Sequence, residues 1–165
     1  MAILSKTRLS DCHRLLLSRE WLGSGGTVNW IMLNPSRADD VFDDQTIRKC
    51  RGFSQRWGFS RLVVTNLFTF RATAPSDMKT CARHDWARAV GYADRALIEQ
   101  AEKSDLVVAA WGVHGNFMGR ADDVLARVLP TTKLHCIGKT KDGFPLHPVT
   151  AAYAPQPEIF RDPSM

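Results

Sequence analysis

Polar side chains that can bind a ligand follow the ends of four apolar segments in this sequence. They include amides, imidazoles and a guanidinium, all of which form hydrogen bonds with polar ligands. Ligands of open parallel sheets bind beyond the carboxyl ends of the strands, so these positions predict a binding site. The candidate residues, in chain order, are Asn34, Pro35, Ser36, Asn66, Phe68, Arg71, Trp111, Gly112, His114, Lys141 and His147.

Asn66 is the most informative of these residues, because it interrupts the apolar run RLVVTNLF at 61–68. A buried amide costs ~1–3 kcal/mol unless its hydrogen bonds are met, which favours a ligand role. Asn34 and His147 each precede a proline. Both therefore have an ordinary interpretation as well, Asn34 as a residue that satisfies turn backbone and His147 as a surface loop residue.

Four aspartates, Asp39, Asp40, Asp43 and Asp44, crowd the loop that follows Ser36. Asp43 or Asp44 lies where the next helix begins, so capping free N–H groups and offsetting the helix dipole explains at least one of them. The cluster also leaves open metal-dependent phosphoester chemistry. The histidines have no partners at i, i+4 spacing, and we predict no metal site.

Hydrophobic periodicity predicts the elements that position these residues. We expect strands at 13–22 and 27–34, joined as a hairpin by the glycines of 23–26, and a helix at 44–57 ending near Gly58. A strand at 61–68, a loop through Pro75, a long helix at 84–104, a strand at 105–112, a helix at 120–129 and a strand at 133–138 follow. The tail from Pro155 is expected to be an irregular strap.

This alternation predicts a single α/β domain over residues 1–165. We expect a three-layer sandwich with a central, mostly parallel four-stranded sheet, plus an N-terminal hairpin strand. With 44% hydrophobic and 24% charged residues, the composition is that of a soluble domain. The N-terminus lacks the apolar run of a signal peptide and no segment is apolar enough to span a membrane, so we expect a cytoplasmic protein with no membrane partner.

The charge and motif content narrow the function without naming it. A net charge of +5 fits contact with nucleic acid or nucleotides, although the scattered basic residues equally fit an ordinary soluble surface. The four cysteines form no C-x-x-C pair, and neither a P-loop nor a dinucleotide-binding motif occurs, so no cofactor is predicted. The segment WGVHGNFMGR either cradles a phosphate or forms an ordinary turn between a strand and a helix.

Four blocks of the sequence carry a resemblance to known families. They are IMLNPSRADDVFDDQTIRKC, LVVTNLFTFRAT, VVAAWGVHG and GKTKDGFPLHP, and together they closely resemble a bacterial and phage family of unknown function, number 1643, over about residues 10–150. The same blocks, in the same order, more distantly resemble the uracil-DNA glycosylase superfamily. Its members place Asp-Pro or Asn-Pro at the first strand end, Leu-Asn at the second, Trp-Gly at the third and His-Pro after the last.

The glycosylase resemblance implies a four-stranded parallel sheet with flanking helices and hydrolysis of an N-glycosidic bond. Asn34 would position or activate water, Asn66 would read the base edge, and His147 would stabilise the departing base. Asp43 or Asp44 would supply a carboxylate, and Phe42 or Phe68 would stack on the base. A non-catalytic module that binds a base or nucleotide is the alternative.

Two departures from the superfamily pattern bear on the substrate. Met32 stands where glycosylases usually have a glycine, two residues before Asn34, and would narrow the pocket. The final block reads HPVT, where members that cleave DNA typically show His-Pro-Ser and a leucine wedge. The resemblance therefore leaves the base open, and a modified base, a nucleotide or a free nucleoside all fit.

Overall fold

The computed structural model describes residues 4–10, 12–36, 38, 42–153 and 155–165, the first of these ranges by its backbone alone. The strands are β1 Leu4–Ser10, β2 His13–Glu20, β3 Thr27–Met32, β4 Arg61–Asn66, β5 Leu106–Ala109, β6 Leu134–Cys136 and β7 Glu158–Arg161. The helices are α1 Gln45–Arg56, α2 Pro75–His84, α3 Trp86–Val90, α4 Ala93–Lys103 and α5 Arg120–Asp123, which continues as a π-helical turn, Val124–Val128.

All seven strands form one sheet in the order β1-β2-β4-β3-β5-β6-β7. The middle strands β4, β3, β5 and β6 run parallel, while β1, β2 and β7 pair antiparallel at the two sides. The predicted mixed α/β architecture is confirmed. The sheet is wider than predicted, because it extends beyond the parallel strands on both sides.

Strand β3 lies at the centre of the fold and is buried on both faces. Trp30 and Met32 point toward α1, whereas Ile31 packs into the apolar cluster on the opposite face. Trp30 is fully buried, stacks on Trp57 with ring centroids 5.6 Å apart, and donates from Nε1 to Ser54 Oγ at 3.0 Å. Burial on both faces is typical of a central parallel strand and fixes the strand end that carries Asn34.

The predicted hairpin of the second and third strands is wrong. Strand β2 pairs with β1 and β4, and β4 lies between β2 and β3. The glycine linker passes close to the start of β4: a Cβ on Gly25 would lie 2.0 Å from the carbonyl oxygen of Gly58, and the Ser60 N–H donates to the Gly26 carbonyl at 3.1 Å. The glycines therefore permit a close backbone approach, not a two-strand turn.

Two helix predictions also need correction. The segment predicted as a loop through Pro75 forms α2, with Pro75 in its first turn, where a missing N–H costs no hydrogen bond. The predicted long helix at 84–104 is divided into α3 and α4 at Gly91 and Tyr92, and Tyr92 adopts a left-handed φ of 54°. The predicted helix at 44–57 is confirmed as α1, and that at 120–129 as α5 with its π-helical turn.

The tail predicted as an irregular strap contains β7, which pairs antiparallel with β6. Arg161, at the end of β7, donates from Nη1 to the Leu125 carbonyl at 2.5 Å and from Nη2 to the Thr132 carbonyl at 2.7 Å. These bonds satisfy carbonyl groups around the end of the π-helical turn. The tail therefore closes the β6 side of the sheet.

Candidate functional site

A cleft of about 630 Å³ opens at the carboxyl ends of β3, β4 and β5. The chain leaves β3 toward β4 on one side and later returns to β5 on the other, which is the strand-order reversal where open α/β sheets bind ligands. The cleft gathers most of the candidates from the sequence. Those that line it are Asn34, Pro35, Ser36, Asp44, Asn66, Trp111, Gly112, His114 and His147.

Asn66 is the last residue of β4 and lines the cleft with only 2% of its surface exposed. Neither its amide nitrogen nor its amide oxygen has a hydrogen-bond partner among the described residues. Buried polar groups are normally paired, and an unpaired one costs ~1–3 kcal/mol. Asn66 therefore offers the N–H groups of its amide nitrogen and its amide oxygen to whatever occupies the cleft.

His147 ends the loop that follows β6 and is held by a turn of its own. Its Nδ1 accepts from the Val149 backbone N–H at 3.2 Å, and Thr150 Oγ1 donates to the His147 carbonyl at 2.8 Å. Because Nδ1 is an acceptor, the proton of the neutral ring is on Nε2. Burial lowers the pKa of His147 and outweighs the nearby charge of Asp44, which raises it. The neutral ring therefore carries one N–H donor, at Nε2.

Asn34 connects the loop after β3 to the loop after β4. Its Nδ2 donates to the backbone carbonyls of Ala72 at 2.8 Å, Pro35 at 3.1 Å and Phe70 at 3.4 Å. Because all of these neighbours are acceptors, the orientation of the amide is determined, and its oxygen takes part in none of these bonds. A structural role and a ligand-binding role for Asn34 are thus compatible. Its amide nitrogen holds the two loops together, and its amide oxygen remains for a ligand.

Asp44 has its carboxylate engaged on both oxygens. Oδ1 accepts from the Ile47 N–H at 2.9 Å, which makes Asp44 the N-cap of α1, and Oδ2 accepts from Ser36 Oγ at 2.5 Å. The cap is the ordinary explanation anticipated for one aspartate. The same residue lines the cleft, so its negative charge also acts on a bound ligand.

The turn after β5 forms another wall and is joined to the His147 loop. Gly112 has a φ of +71°, its N–H donates to the Pro145 carbonyl at 3.1 Å, and a Cβ added to it would lie 3.6 Å from His147 Cβ. The Trp111 ring packs edge-on against Phe160, with centroids 5.6 Å apart, and closely under Gly115. Trp111 therefore supports this wall by core packing.

Five described candidates lie away from the cleft lining, and one of them is the exposed Phe42. Phe68 is fully buried and packs edge-on against Trp86, so it is not placed to stack on a base in the cleft. Arg71 donates from Nε to the Ser36 carbonyl at 3.1 Å and therefore supports the cleft loop from outside. Asp43 pairs with the buried Arg19 at 2.7 Å. Lys141 lies in the exposed part of the loop that precedes His147.

Sequence reasoning missed Arg14, a buried residue that lines the cleft beside Asn66. Strand β2 is antiparallel to β4, so its first residues meet the end of β4, and the Arg14 N–H donates to the Thr69 carbonyl at 3.0 Å. Its Nη1 bonds the Ala38 carbonyl. The signal in the sequence is an arginine at the start of an apolar strand that runs antiparallel to its neighbour, which brings this arginine to the carboxyl edge.

The sequence left open a phosphate-binding turn in the segment WGVHGNFMGR and metal-dependent chemistry at the aspartates, and the described residues bear on both. Asn116 donates to the Asp122 carboxylate at 2.9 Å and accepts the Asp122 N–H at 3.0 Å, so the start of α5 is capped from within the chain as in an ordinary turn. No group of three potential metal ligands occurs among the residues described, while Asp39 and Asp40 lie outside them. Within the same described ranges, every helix is too short or too polar to cross a bilayer.

The chain is a mixed α/β protein with a cleft at the carboxyl edge of its sheet. The chain belongs to the family described as protein of unknown function DUF1643, whose model matches residues 14–149. Searches of curated proteins and of solved structures each found no match.

Proposed function

We propose that this protein hydrolyses an N-glycosidic bond in a nucleic acid or nucleotide, without a cofactor, using a site like that of the uracil-DNA glycosylases. The observation that carries the proposal is the amide of Asn66, which is buried, unpaired and at the cleft. The edges of nucleobases present adjacent donors and acceptors, which a single amide matches with two hydrogen bonds. The parallel central strands and flanking helices also agree with that resemblance.

His147 supplies the group that the leaving base requires. When the bond between C1′ of the sugar and the base nitrogen breaks, its electron pair moves onto the base. A fixed N–H donor lowers the barrier by stabilising the negative charge that develops. The neutral His147 ring provides this donor at Nε2, and the Val149 N–H holds the ring in the required tautomer.

Asn34 and Asp44 act on the sugar side of the bond. The amide oxygen of Asn34 orients the attacking water, because its nitrogen is committed to the loop carbonyls. Asp44 has both oxygens engaged, so it contributes its charge, which stabilises the positive sugar of the transition state. Water adds to C1′ and keeps one proton in the new hydroxyl group, while its other proton passes, directly or through solvent, to the departing base.

A non-catalytic module that binds a base or nucleotide is the second candidate. One observation favours it: Asp44 is the only acidic residue among the described residues that line the cleft, and its oxygens already accept hydrogen bonds. A carboxylate in that state is a weak general base. A module that only reads a base would need Asn66 and the pocket, but not a base catalyst.

Turnover and binding, measured side by side, separate the two candidates. We would compare wild-type protein with Asn34→Ala and His147→Ala for base release and for binding of the same oligonucleotides. An enzyme loses base release by roughly 10²-fold or more in either variant and keeps most of its binding. Binding without base release at any enzyme concentration would instead establish the module.

A further inference from the structure

Three basic side chains lie near one another beside the cleft, and one of them, His114, lines it. Lys79 of α2 donates from Nζ to Nδ1 of His114 at 3.0 Å, and His114 lines the cleft. The Lys79 ammonium lies 5.2 Å from the ring centroid of Phe117, and the Arg83 guanidinium lies 5.1 Å from the same centroid. One aromatic ring therefore gathers two cations next to a histidine at the mouth of the site.

Within the described residues, neither Lys79 nor Arg83 forms a salt bridge with a carboxylate. Some other cations among the described residues are paired, as the buried Arg19 is with Asp43 and Arg120 is with Asp94, each at 2.7 Å. Like charges held close together repel, which costs free energy unless an anion offsets it. The rim therefore carries positive charge that the protein itself leaves unbalanced.

The protonation state of His114 adds a donor to these cations. Burial and the neighbouring charge of Lys79 both lower the pKa of His114. In the neutral ring, Nδ1 accepts from Lys79, so Nε2 carries the proton. The rim thus presents an N–H donor, an ammonium and a guanidinium, which is a set of groups that binds the several oxygens of a phosphate.

We propose that Lys79, His114 and Arg83 bind a phosphate group of the substrate. The proposal rests on the proposed function and narrows its substrate to a phosphorylated nucleotide or a nucleic acid strand, excluding a free nucleoside or base. The start of α2 lies at the same cleft, where Thr73 and Pro75 are lining residues.

The test is an NMR titration of the histidine side chains with inorganic phosphate as the probe. We expect phosphate to perturb the His114 ring signals and raise its pKa, while the signals of His147, deeper in the site, respond less. Lys79→Gln should weaken this phosphate-dependent change by about tenfold in affinity, and Lys103→Gln, which removes an exposed lysine of α4, should not. A His114 ring that does not respond, or an equal response in Lys79→Gln, would overturn the proposal.

Two phosphate-bearing probes distinguish the source of the phosphate. A thymidine tetranucleotide that binds at least about tenfold more tightly than thymidine monophosphate, with dependence on Lys79, supports a strand backbone. Equal affinities with the same dependence support a free nucleotide. Binding of both probes that Lys79→Gln leaves unchanged rejects the subsite.

These outcomes are independent of catalysis. Phosphate binding at His114 in a protein that releases no base would support the phosphate subsite and reject the proposed glycosidase activity. Base release that Lys79→Gln does not change would support the glycosidase activity and reject the phosphate subsite.

Discussion

The backbone N–H of Val149 donates a hydrogen bond to Nδ1 of His147 at 3.2 Å. This contact selects the tautomer that carries its proton on Nε2, and it is lost when the ring gains a second proton at Nδ1. A single backbone group thus determines the direction in which the neutral ring of His147 donates, while burial lowers the pKa of the ring and favours its neutral state.

The first prediction concerns the pKa of His147. Burial lowers this pKa below its ordinary value of about 6.5, so the ring is neutral in the folded protein at pH 7. Stability contributed by the neutral ring is complete above the unfolded pKa and is lost as pH falls from about 6.5 through the lowered folded pKa. Histidine NMR, with the protein unfolded in urea as reference, measures this shift. A folded pKa at or above the unfolded one would contradict the assignment.

The second prediction separates function from stability at Asn66. Asn66→Leu keeps the side-chain volume and removes a donor and an acceptor that have no partners among the described residues. We expect the free energy of unfolding to stay equal or rise by up to about 2 kcal/mol, while base-dependent binding is lost. Urea denaturation and oligonucleotide binding measure the two effects.

Asn29→Leu is the matched control for Asn66. Asn29 is also fully buried on a neighbouring strand and its Nδ2 likewise has no partner among the described residues, but its Oδ1 accepts from Thr65 Oγ1 at 3.0 Å. Its replacement should lower the free energy of unfolding by about 1–3 kcal/mol, because the Thr65 hydroxyl loses its acceptor. If Asn66→Leu destabilised the protein as much as Asn29→Leu, the amide of Asn66 would have a structural role.

The third prediction concerns the two ends of Asn34. Asn34→Asp places carboxylate oxygen against the carbonyls of Pro35 and Ala72, where Nδ2 now donates. We expect Asn34→Asp to lower the free energy of unfolding by about 2–3 kcal/mol, and Asn34→Ala by about 1 kcal/mol. Chemical denaturation at pH 7 checks this order. Equal stability of the two variants would mean that the amide nitrogen does not hold the loops together.

The fourth prediction assigns Asp43 to stability. Asp43→Asn removes the carboxylate that pairs with the buried Arg19, and we expect a loss of about 3 kcal/mol in the free energy of unfolding. Glu99→Gln breaks the exposed pair with Arg95 and should cost less than about 0.5 kcal/mol. Thermal or urea unfolding compares them. A loss as small for Asp43→Asn as for Glu99→Gln would contradict the structural role.

Strand ends were the part of the site that the sequence predicted best. Parallel strands carry their carboxyl ends to one edge, so Asn34, Asn66 and Gly112 converge whatever the details of the loops. Phe68 follows the end of β4 in the sequence, but its position after a strand end does not determine whether its side chain points to the cleft or to the core. In the structure it packs in the core. Arg14 was missed because its strand enters the edge antiparallel to its neighbour.

The fold was predictable where local pattern and tertiary packing agree. The helix that starts at Asp44 has both a cap and a stripe of apolar residues, and it lies where the pattern placed it. The hairpin error arose because the choice of strand neighbour is a long-range property, which glycines at a linker do not reveal. Strand β7 likewise depends on pairing with β6, which is a long-range property, whereas Gly91 is a local sequence feature at the break between α3 and α4.

Release of free base from a nucleic acid or nucleotide tests the central claim most directly. We would incubate the purified protein with single-stranded and double-stranded oligonucleotides and with nucleotides that carry normal, deaminated and modified bases, and detect free base by mass spectrometry. The account predicts release from at least one substrate, reduced by roughly 10²-fold or more in His147→Ala. No release from any substrate by folded wild-type protein, or release that His147→Ala leaves unchanged, would contradict it.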